Sequence, residues 1–195
     1  MHMELYIARH GQTEYNVLGR IQGSGLDSLL TPVGVEQAKT LGKTIEGIEF
    51  DTIYSSPLKR AMDTTRIVFN DENLFENRAL TDSRLVEIGM GEAEGLVWED
   101  ARKGLIPDPF DPEYYLPPPG GEELPDMIAR IDSFLQELAT KPYQRVFVLT
   151  HGYALRVVHA CSIDKSVTAI RKAPWFDNCA LVKYVHDGCN WNLAE

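Results

Sequence analysis

The hydrophobic positions of the chain alternate between short continuous runs and stripes that recur every three to four residues. Short runs are typical of buried strands, and periodic stripes are typical of helices that pack on a sheet. Strands are predicted at 4–8, 52–54, 145–150, 180–185 and 191–193. Helices are predicted from 31, from 56, over 124–138 and over 151–161. Strands that alternate with helices predict an α/β fold, with a mainly parallel sheet covered on both faces.

Local turn and capping sequences support several of these boundaries. Thr31-Pro32 places an N-cap hydroxyl before a proline at the first helical position, and Ser56-Pro57 repeats the pattern. Asp187-Gly188 lies between the last two predicted strands and indicates a hairpin.

The periodic pattern lapses between 92 and 123. This proline-rich stretch contains Trp98, Tyr114 and Tyr115, and it is too long for an ordinary connector. The sequence therefore predicts one domain, 1–195, with a lid or insertion at 92–123. This segment either covers the site with its aromatic side chains toward the substrate or packs on the core as a structural flap.

Composition narrows the possible classes of protein. The 195 residues carry a net charge of −10 and no cluster of Lys and Arg, which argues against binding of nucleic acid. No apolar run approaches the roughly 20 residues of a membrane-spanning helix, and we expect no signal peptide ahead of the first strand. Cys161, Cys179 and Cys189 form no paired motif, which predicts reduced thiols and a cytoplasmic protein.

The first candidate for chemistry, Arg9-His10-Gly11, follows the opening strand. Ligands of open parallel sheets bind at the carboxyl ends of the strands. A neutral imidazole is a nucleophile toward phosphorus, and an adjacent guanidinium keeps the ring neutral because it disfavours a second positive charge. The guanidinium also suits bidentate binding of phosphate oxygens. Taken alone, the tripeptide fits an exposed turn equally well.

Two more motifs lie after predicted strands. Arg60 lies in the first turns of a helix, where free N–H groups favour an anion. His151-Gly152 follows a later strand, and its imidazole is a candidate donor to a phosphoryl oxygen. Each residue alone also fits a structural role, but two His-Gly pairs at the ends of two apolar strands favour a shared function.

A proton donor is expected in the glutamate-rich segment 84–95. Cleavage of a phosphomonoester requires a proton on the leaving oxygen. Glu87 is the candidate because its neighbours Val86 and Ile88 are apolar, and desolvation favours the protonated carboxyl. Glu92 and Glu94 lie among glycines and are expected to be solvated.

In combination, the four motifs resemble the histidine phosphatase superfamily, also called the phosphoglycerate mutase-like family, over about 5–185. The resemblance implies a three-layer α/β/α sandwich, a phosphohistidine intermediate, and neither metal nor cofactor. It implies that His10 is the nucleophile and Glu87 the proton donor, with Arg9, Arg60 and His151 completing the phosphate pocket. Further positions that match the pattern and support the bound group are Asn16, Gln22, Gly23 and Gly152.

The chain departs from the family pattern at three places on the substrate side. The loop at 27–31 lacks the usual proline, Ala93 replaces a common tryptophan, and Tyr153 replaces a second glycine after the late histidine. None of these changes removes a catalytic group, but they leave the physiological substrate open.

Three functions remain possible at this stage. The expected one is hydrolysis of a small phosphorylated metabolite. A phosphoglycerate mutase, which returns the phosphoryl group to a sugar acid, is the alternative, although the arginine pair typical of mutases is replaced by Tyr114-Tyr115-Leu116. A non-catalytic module that binds phosphorylated ligands is the third. The sequence does not predict the oligomeric state.

Overall fold

A computed structural model of the chain describes residues 2–104 and 117–194. Six strands are formed by β1 (Met3–Arg9), β2 (Thr52–Ser55), β3 (Ala79–Thr81), β4 (Arg145–Thr150), β5 (Leu181–His186) and β6 (Trp191–Leu193). Eight helices are formed in this part of the chain by α1 (Glu14–Val17), α2 (Pro32–Thr44), α3 (Lys59–Phe69), α4 (Leu74–Asn77), α5 (Trp98–Gly104), α6 (Leu124–Ala139), α7 (Gly152–Cys161) and α8 (Val167–Lys172).

The strands form one mainly parallel sheet in the order β3-β2-β4-β1-β5-β6. Strands β3, β2, β4 and β1 run parallel, whereas β5 and β6 add an antiparallel hairpin at one edge. The predicted α/β class, the mainly parallel sheet and the late hairpin are therefore confirmed. In the central strands β1 and β4, successive side chains point to opposite faces, so both faces must be covered.

Two hydrophobic cores lie on the two faces of the sheet and make the fold a three-layer sandwich. Leu5 and Ile7 of β1 join a core formed with α6, α7 and α8. Ala8 joins the other core, which is formed with α2, α3 and α4. Strand β4 divides in the same way, because Val148 lies in the first core and Phe147 in the second.

The two predicted capping sequences behave differently. The Thr31 hydroxyl accepts a hydrogen bond from Gly34 N at 3.0 Å, and α2 begins at Pro32 as predicted. The prediction for Ser56 is wrong, because α3 begins at Lys59 after an extended Leu58. The Ser56 hydroxyl instead lies 2.7 Å from Nε2 of His151, a partner that is distant in sequence.

The stretch at 92–123 is only partly described. It contains α5, and Trp98 lines a cavity at the carboxyl edge of the sheet that is described below, whereas Tyr114 and Tyr115 lie outside the described residues. A covering role for the stretch stays a prediction. In the ranges that the structure describes, no helix is long and apolar enough to span a bilayer.

Candidate active site

The cavity that contains the predicted residues lies at the carboxyl edge of the parallel sheet, and its volume is about 170 Å³. Strand β1 ends immediately before His10, and β4 ends immediately before His151. These strands are neighbours, so the two imidazoles come within 5.2 Å between ring centroids. Of the nine site residues predicted from the sequence, those that line the cavity are Arg9, His10, Asn16, Gln22, Gly23, Arg60, Glu87 and Gly152.

The His10 ring is buried and held in one orientation. Its exposed fraction is only 2%, and Nδ1 lies 2.8 Å from the carbonyl oxygen of Gly11. A carbonyl only accepts, so Nδ1 carries the proton and Nε2 keeps the lone pair. Burial, with Arg60 and then Arg9 nearby, lowers the pKa of His10 well below 6.5. The ring is therefore neutral and nucleophilic at neutral pH.

Two arginines place positive charge beside this imidazole. Arg60 is almost fully buried, and its guanidinium donates to the carbonyls of Gly23 and Leu26 and to the Asp27 carboxylate at 2.8–2.9 Å. Arg9 donates through Nη1 to the carbonyl of Phe176 at 2.7 Å. In the described chain, Nε of each guanidinium is buried without a partner. Buried donors without partners are rare and costly, and an anion in the cavity would relieve that cost.

His151 lies next to the His10 ring, with 5.2 Å between the ring centroids, although it does not itself line the cavity. Its ring is fully buried, Nε2 contacts Ser56, and Nδ1 has no partner among the described residues. Burial and the nearby Arg60 lower the pKa of His151 well below 6.5. A neutral ring whose Nδ1 faces no acceptor fits the predicted role of a donor to phosphate.

The Glu87 carboxylate bridges its own loop and the start of α7. Oε1 accepts from the backbone N–H groups of Ile88 and Ala154, and Oε2 accepts from that of Tyr153, at 3.0–3.2 Å. These contacts fix the carboxyl group on the cavity wall.

Arg130 of α6 supports the loop that carries Glu87, and sequence reasoning missed it. Its guanidinium donates to the carbonyls of Arg84, Val86 and Glu87 at 2.6–3.3 Å and forms two hydrogen bonds with Glu122. An arginine on a helix surface gives no sequence signal for partners more than 40 positions away.

The expectation that Glu94 is solvated is wrong. Its half-buried carboxylate accepts from the N–H groups of Ser24, Gly25 and Met90 at 3.0–3.3 Å. Gly23 has a positive φ of 57°, and a Cβ there would lie 2.0 Å from Glu94 Oε1. Glycine is therefore required at 23, where the carbonyl binds Arg60. Glu92, in contrast, is exposed as expected.

Asn16 and Gln22 hold loops together as well as lining the cavity. Asn16 Oδ1 accepts from the backbone of Thr13 at 3.0 Å and from the side chain of Asn178 at 3.3 Å. Gln22 donates to the Thr13 hydroxyl and accepts from the Ser28 hydroxyl, both at 3.0 Å. Asn178, which also donates to the carbonyl of His10 at 3.0 Å, was not predicted.

The described residues of the site form no metal centre. In the described portions of the chain, no group of three His, Cys, Asp or Glu side chains is arranged to hold a metal ion. The expectation of a metal-independent reaction stays a prediction.

The two neutral histidines make a prediction about stability. As pH falls through about 6.5, the unfolded chain protonates both rings while the folded chain keeps them neutral. The free energy of unfolding should therefore fall on acidification, by up to about 1.4 kcal/mol per pH unit for each ring. Urea unfolding between pH 8 and pH 5 measures this slope.

In the variant His10→Asn, the free energy of unfolding should depend less on pH, because one of the two buried imidazoles is absent. His2→Asn, at an exposed position, serves as the control. An unchanged slope in His10→Asn would show that the buried ring does not resist protonation.

The chain is similar in sequence to known proteins over most of its length. Residues 5–195 match the sequence model of the histidine phosphatase superfamily (branch 1). A putative phosphoserine phosphatase 2 from Hydrogenobacter thermophilus is 34% identical over 157 residues, covering 79% of this chain and 75% of the relative. A 2,3-bisphosphoglycerate-dependent phosphoglycerate mutase from Azorhizobium caulinodans is 35% identical, covering 79% of this chain and 78% of the relative.

A solved structure extends the agreement to the whole fold. Bacillus stearothermophilus YhfR superposes with a TM-score of 0.86 and 30% identity, covering 98% of this chain and 95% of that protein. The family and the fold predicted from the sequence are confirmed.

Proposed function

Because the chain belongs to the histidine phosphatase superfamily, we propose that this enzyme hydrolyses phosphomonoesters of small metabolites through a phosphorylated His10. The observation that carries the proposal is the neutral, buried His10 between two guanidiniums whose Nε atoms have no partner in the described chain. This arrangement combines a nucleophile with unsatisfied donors for the oxygens of a phosphoryl group.

In the first half of the reaction, Nε2 of His10 attacks phosphorus and the bond to the ester oxygen breaks. The guanidiniums of Arg9 and Arg60 stabilise the negative charge on the phosphoryl oxygens. Glu87 delivers a proton to the departing oxygen, so the leaving group departs as a neutral alcohol. Nδ1 keeps its proton throughout, because it donates to the carbonyl of Gly11.

In the second half, water attacks the phosphohistidine. Glu87, now a carboxylate, removes a proton from that water, and the bond between phosphorus and Nε2 breaks. The products are inorganic phosphate, a neutral His10 and a protonated Glu87, which restores the starting state. No metal ion is needed if the arginines neutralise the developing charge and His151 donates a hydrogen bond to a phosphoryl oxygen.

The distribution of cations supports hydrolysis over mutase activity. Among the described residues that line the cavity, the cationic side chains are Arg9, Arg20 and Arg60. Arg9 and Arg60 flank His10, and Arg20 is exposed and donates to the carbonyl of Gly95 at 2.8 Å. A mutase must hold a sugar acid with two anionic groups, and this cavity offers few cations for the second one.

Product analysis separates the two reactions. We expect incubation with 3-phosphoglycerate and a trace of 2,3-bisphosphoglycerate to release inorganic phosphate, with no more 2-phosphoglycerate than hydrolysis of the added bisphosphoglycerate can yield, and excess EDTA to leave the rate unchanged. Isomerisation faster than phosphate release would identify a mutase. Complete loss of activity with EDTA, restored by one metal, would contradict the metal-independent mechanism.

The wider setting of the reaction stays a prediction. The three cysteines are free, with Cys161 buried and Cys189 exposed, and the cytoplasm is the compartment we propose. The substrate is proposed to be a small phosphorylated metabolite, and no nucleic-acid or membrane partner is proposed.

A further inference from the structure

The lining of the cavity contains two kinds of side chain. Its polar and charged members include His10, Glu87 and the arginines described above. Its apolar and aromatic members, here called the apolar wall, are Ile21, Ile88, Met90, Trp98, Tyr153 and Trp175. An ester bound with its phosphoryl group at His10 holds its leaving group in the same cavity, so this wall is available to that group.

Tyr153 and Trp175 form the aromatic part of this wall. Their ring centroids lie 6.2 Å apart at an interplanar angle of 73°, an edge-to-face arrangement. Trp175 is 52% exposed, although a tryptophan usually buries most of its surface. Tyr153 is the residue that replaces the glycine common in the family, so this part of the wall follows from a departure already visible in the sequence.

Arg156 of α7 fixes both rings. Its side chain is buried, and its guanidinium donates to the carbonyls of Ile170, Arg171 and Ala173 at 2.8–3.3 Å. The guanidinium carbon lies 4.2 Å from the ring centroid of Trp175 and 5.2 Å from that of Tyr153. A guanidinium at this distance is attracted to an aromatic face. The buried arginine thus anchors an exposed tryptophan at the rim of the cavity.

We propose that Tyr153 and Trp175 form a subsite for the aromatic leaving group of a phosphomonoester, with Arg156 as the positioning residue. The proposal rests on the proposed hydrolase function. An aromatic ring gains contact area and edge-to-face interactions with rings that are already fixed. A small carboxylated leaving group would gain neither of these interactions, and the cationic side chains among the described lining residues are limited to Arg9, Arg20 and Arg60.

The test compares esters whose leaving alcohols have similar acidity, so that differences report binding rather than bond cleavage. We expect kcat/KM to decrease from benzyl phosphate to cyclohexylmethyl phosphate to ethyl phosphate, with about tenfold or more between the first and the last. Equal values for benzyl and cyclohexylmethyl phosphate, or a preference for ethyl phosphate, would overturn the proposal.

Variants of Trp175 test whether the apolar wall causes the preference for benzyl phosphate. Trp175→Ala should reduce the benzyl-to-ethyl ratio to about threefold or less, mainly through KM for benzyl phosphate, and Trp175→Phe should retain most of it. Leu193→Ala is the matched control, because Leu193 has the same 52% exposure on the distant β6. A ratio that survives Trp175→Ala would overturn the proposal.

The variant Arg156→Met tests whether Arg156 positions the rings of Tyr153 and Trp175. We expect it to lower the benzyl-to-ethyl ratio of kcat/KM, because the two rings lose the guanidinium that fixes them. An equal loss of kcat/KM on both esters would indicate a general structural defect and would refute the role given to Arg156.

Binding of phosphonates, which are not hydrolysed, tests the aromatic subsite independently of the proposed hydrolase function. Titration calorimetry with benzylphosphonate and methylphosphonate should show tighter binding of the benzyl compound, and Trp175→Ala should remove the difference. If this result is obtained without hydrolysis of any ester, the subsite stands and the hydrolase proposal fails. If the esters are hydrolysed but the two phosphonates bind equally, the subsite fails and the hydrolase proposal stands.

Discussion

Replacing His10 with alanine is expected to lower kcat by at least about a thousandfold on every phosphomonoester, because the variant lacks the atom that attacks phosphorus. In the wild-type protein, rapid quenching with ³²P-labelled substrate should trap a phosphoryl group on His10. Phosphohistidine is labile to acid and stable to base, so the adduct should survive only the alkaline quench.

The matched control is His159→Ala. His159 is a half-buried histidine of α7 that does not line the cavity, and its Nδ1 lies 3.0 Å from the Tyr184 hydroxyl. We expect this variant to retain turnover and labelling of His10. Wild-type turnover in His10→Ala, or label on another residue, would eliminate the phosphohistidine mechanism.

Replacing Glu87 with glutamine is expected to have an effect that depends on the leaving group. Glutamine retains the shape of the side chain but cannot deliver a carboxyl proton, so hydrolysis of an alkyl phosphate should slow by about a hundredfold or more. The nitrophenolate group of a nitrophenyl phosphate leaves without protonation, so hydrolysis of this ester should slow far less. The ratio of the two rates, measured at one pH on the same preparation, checks the role.

Glu94→Gln supplies the comparison for this experiment. Glu94 fixes the loop at 23–25, which carries the Gly23 carbonyl that accepts from Arg60, so its loss should slow both esters to a similar degree. Equal losses on both esters in Glu87→Gln would mean that Glu87 is not the proton donor and acts only as a contact of α7.

The sequence predicted the parts of the site that depend on local order along the chain. His10 and His151 directly follow apolar strands, and neighbouring parallel strands bring their carboxyl ends together without any further information. The three-layer fold was predictable for the same reason, since alternation of strand and helix patterns specifies a parallel sheet with two covered faces.

Contacts between segments that are distant in sequence were not predictable. Ser56 appeared to be a helix cap because its neighbour is a proline, but its hydroxyl is used by His151, 95 positions away. Glu94 appeared to be solvated because glycines surround it, yet the N–H groups of Ser24 and Gly25 are its ligands. Strand β3 spans only three residues, too few for any periodicity, and pairing with β2 defines it.

The main chain and the side chain of Tyr153 make separate contacts, and this separation affects how the sequences of such enzymes can diverge. The backbone N–H of Tyr153 binds the Glu87 carboxylate at 3.1 Å, and any residue except proline supplies that group. The phenol ring, in contrast, lies in the apolar wall beside Trp175 and the guanidinium of Arg156. Mutational drift at this codon can therefore replace the ring with another side chain while the hydrogen bond to the Glu87 carboxylate persists. If Glu87 and the aromatic subsite act as proposed, a duplicated gene can change its substrate range at this position by single substitutions that keep that hydrogen bond.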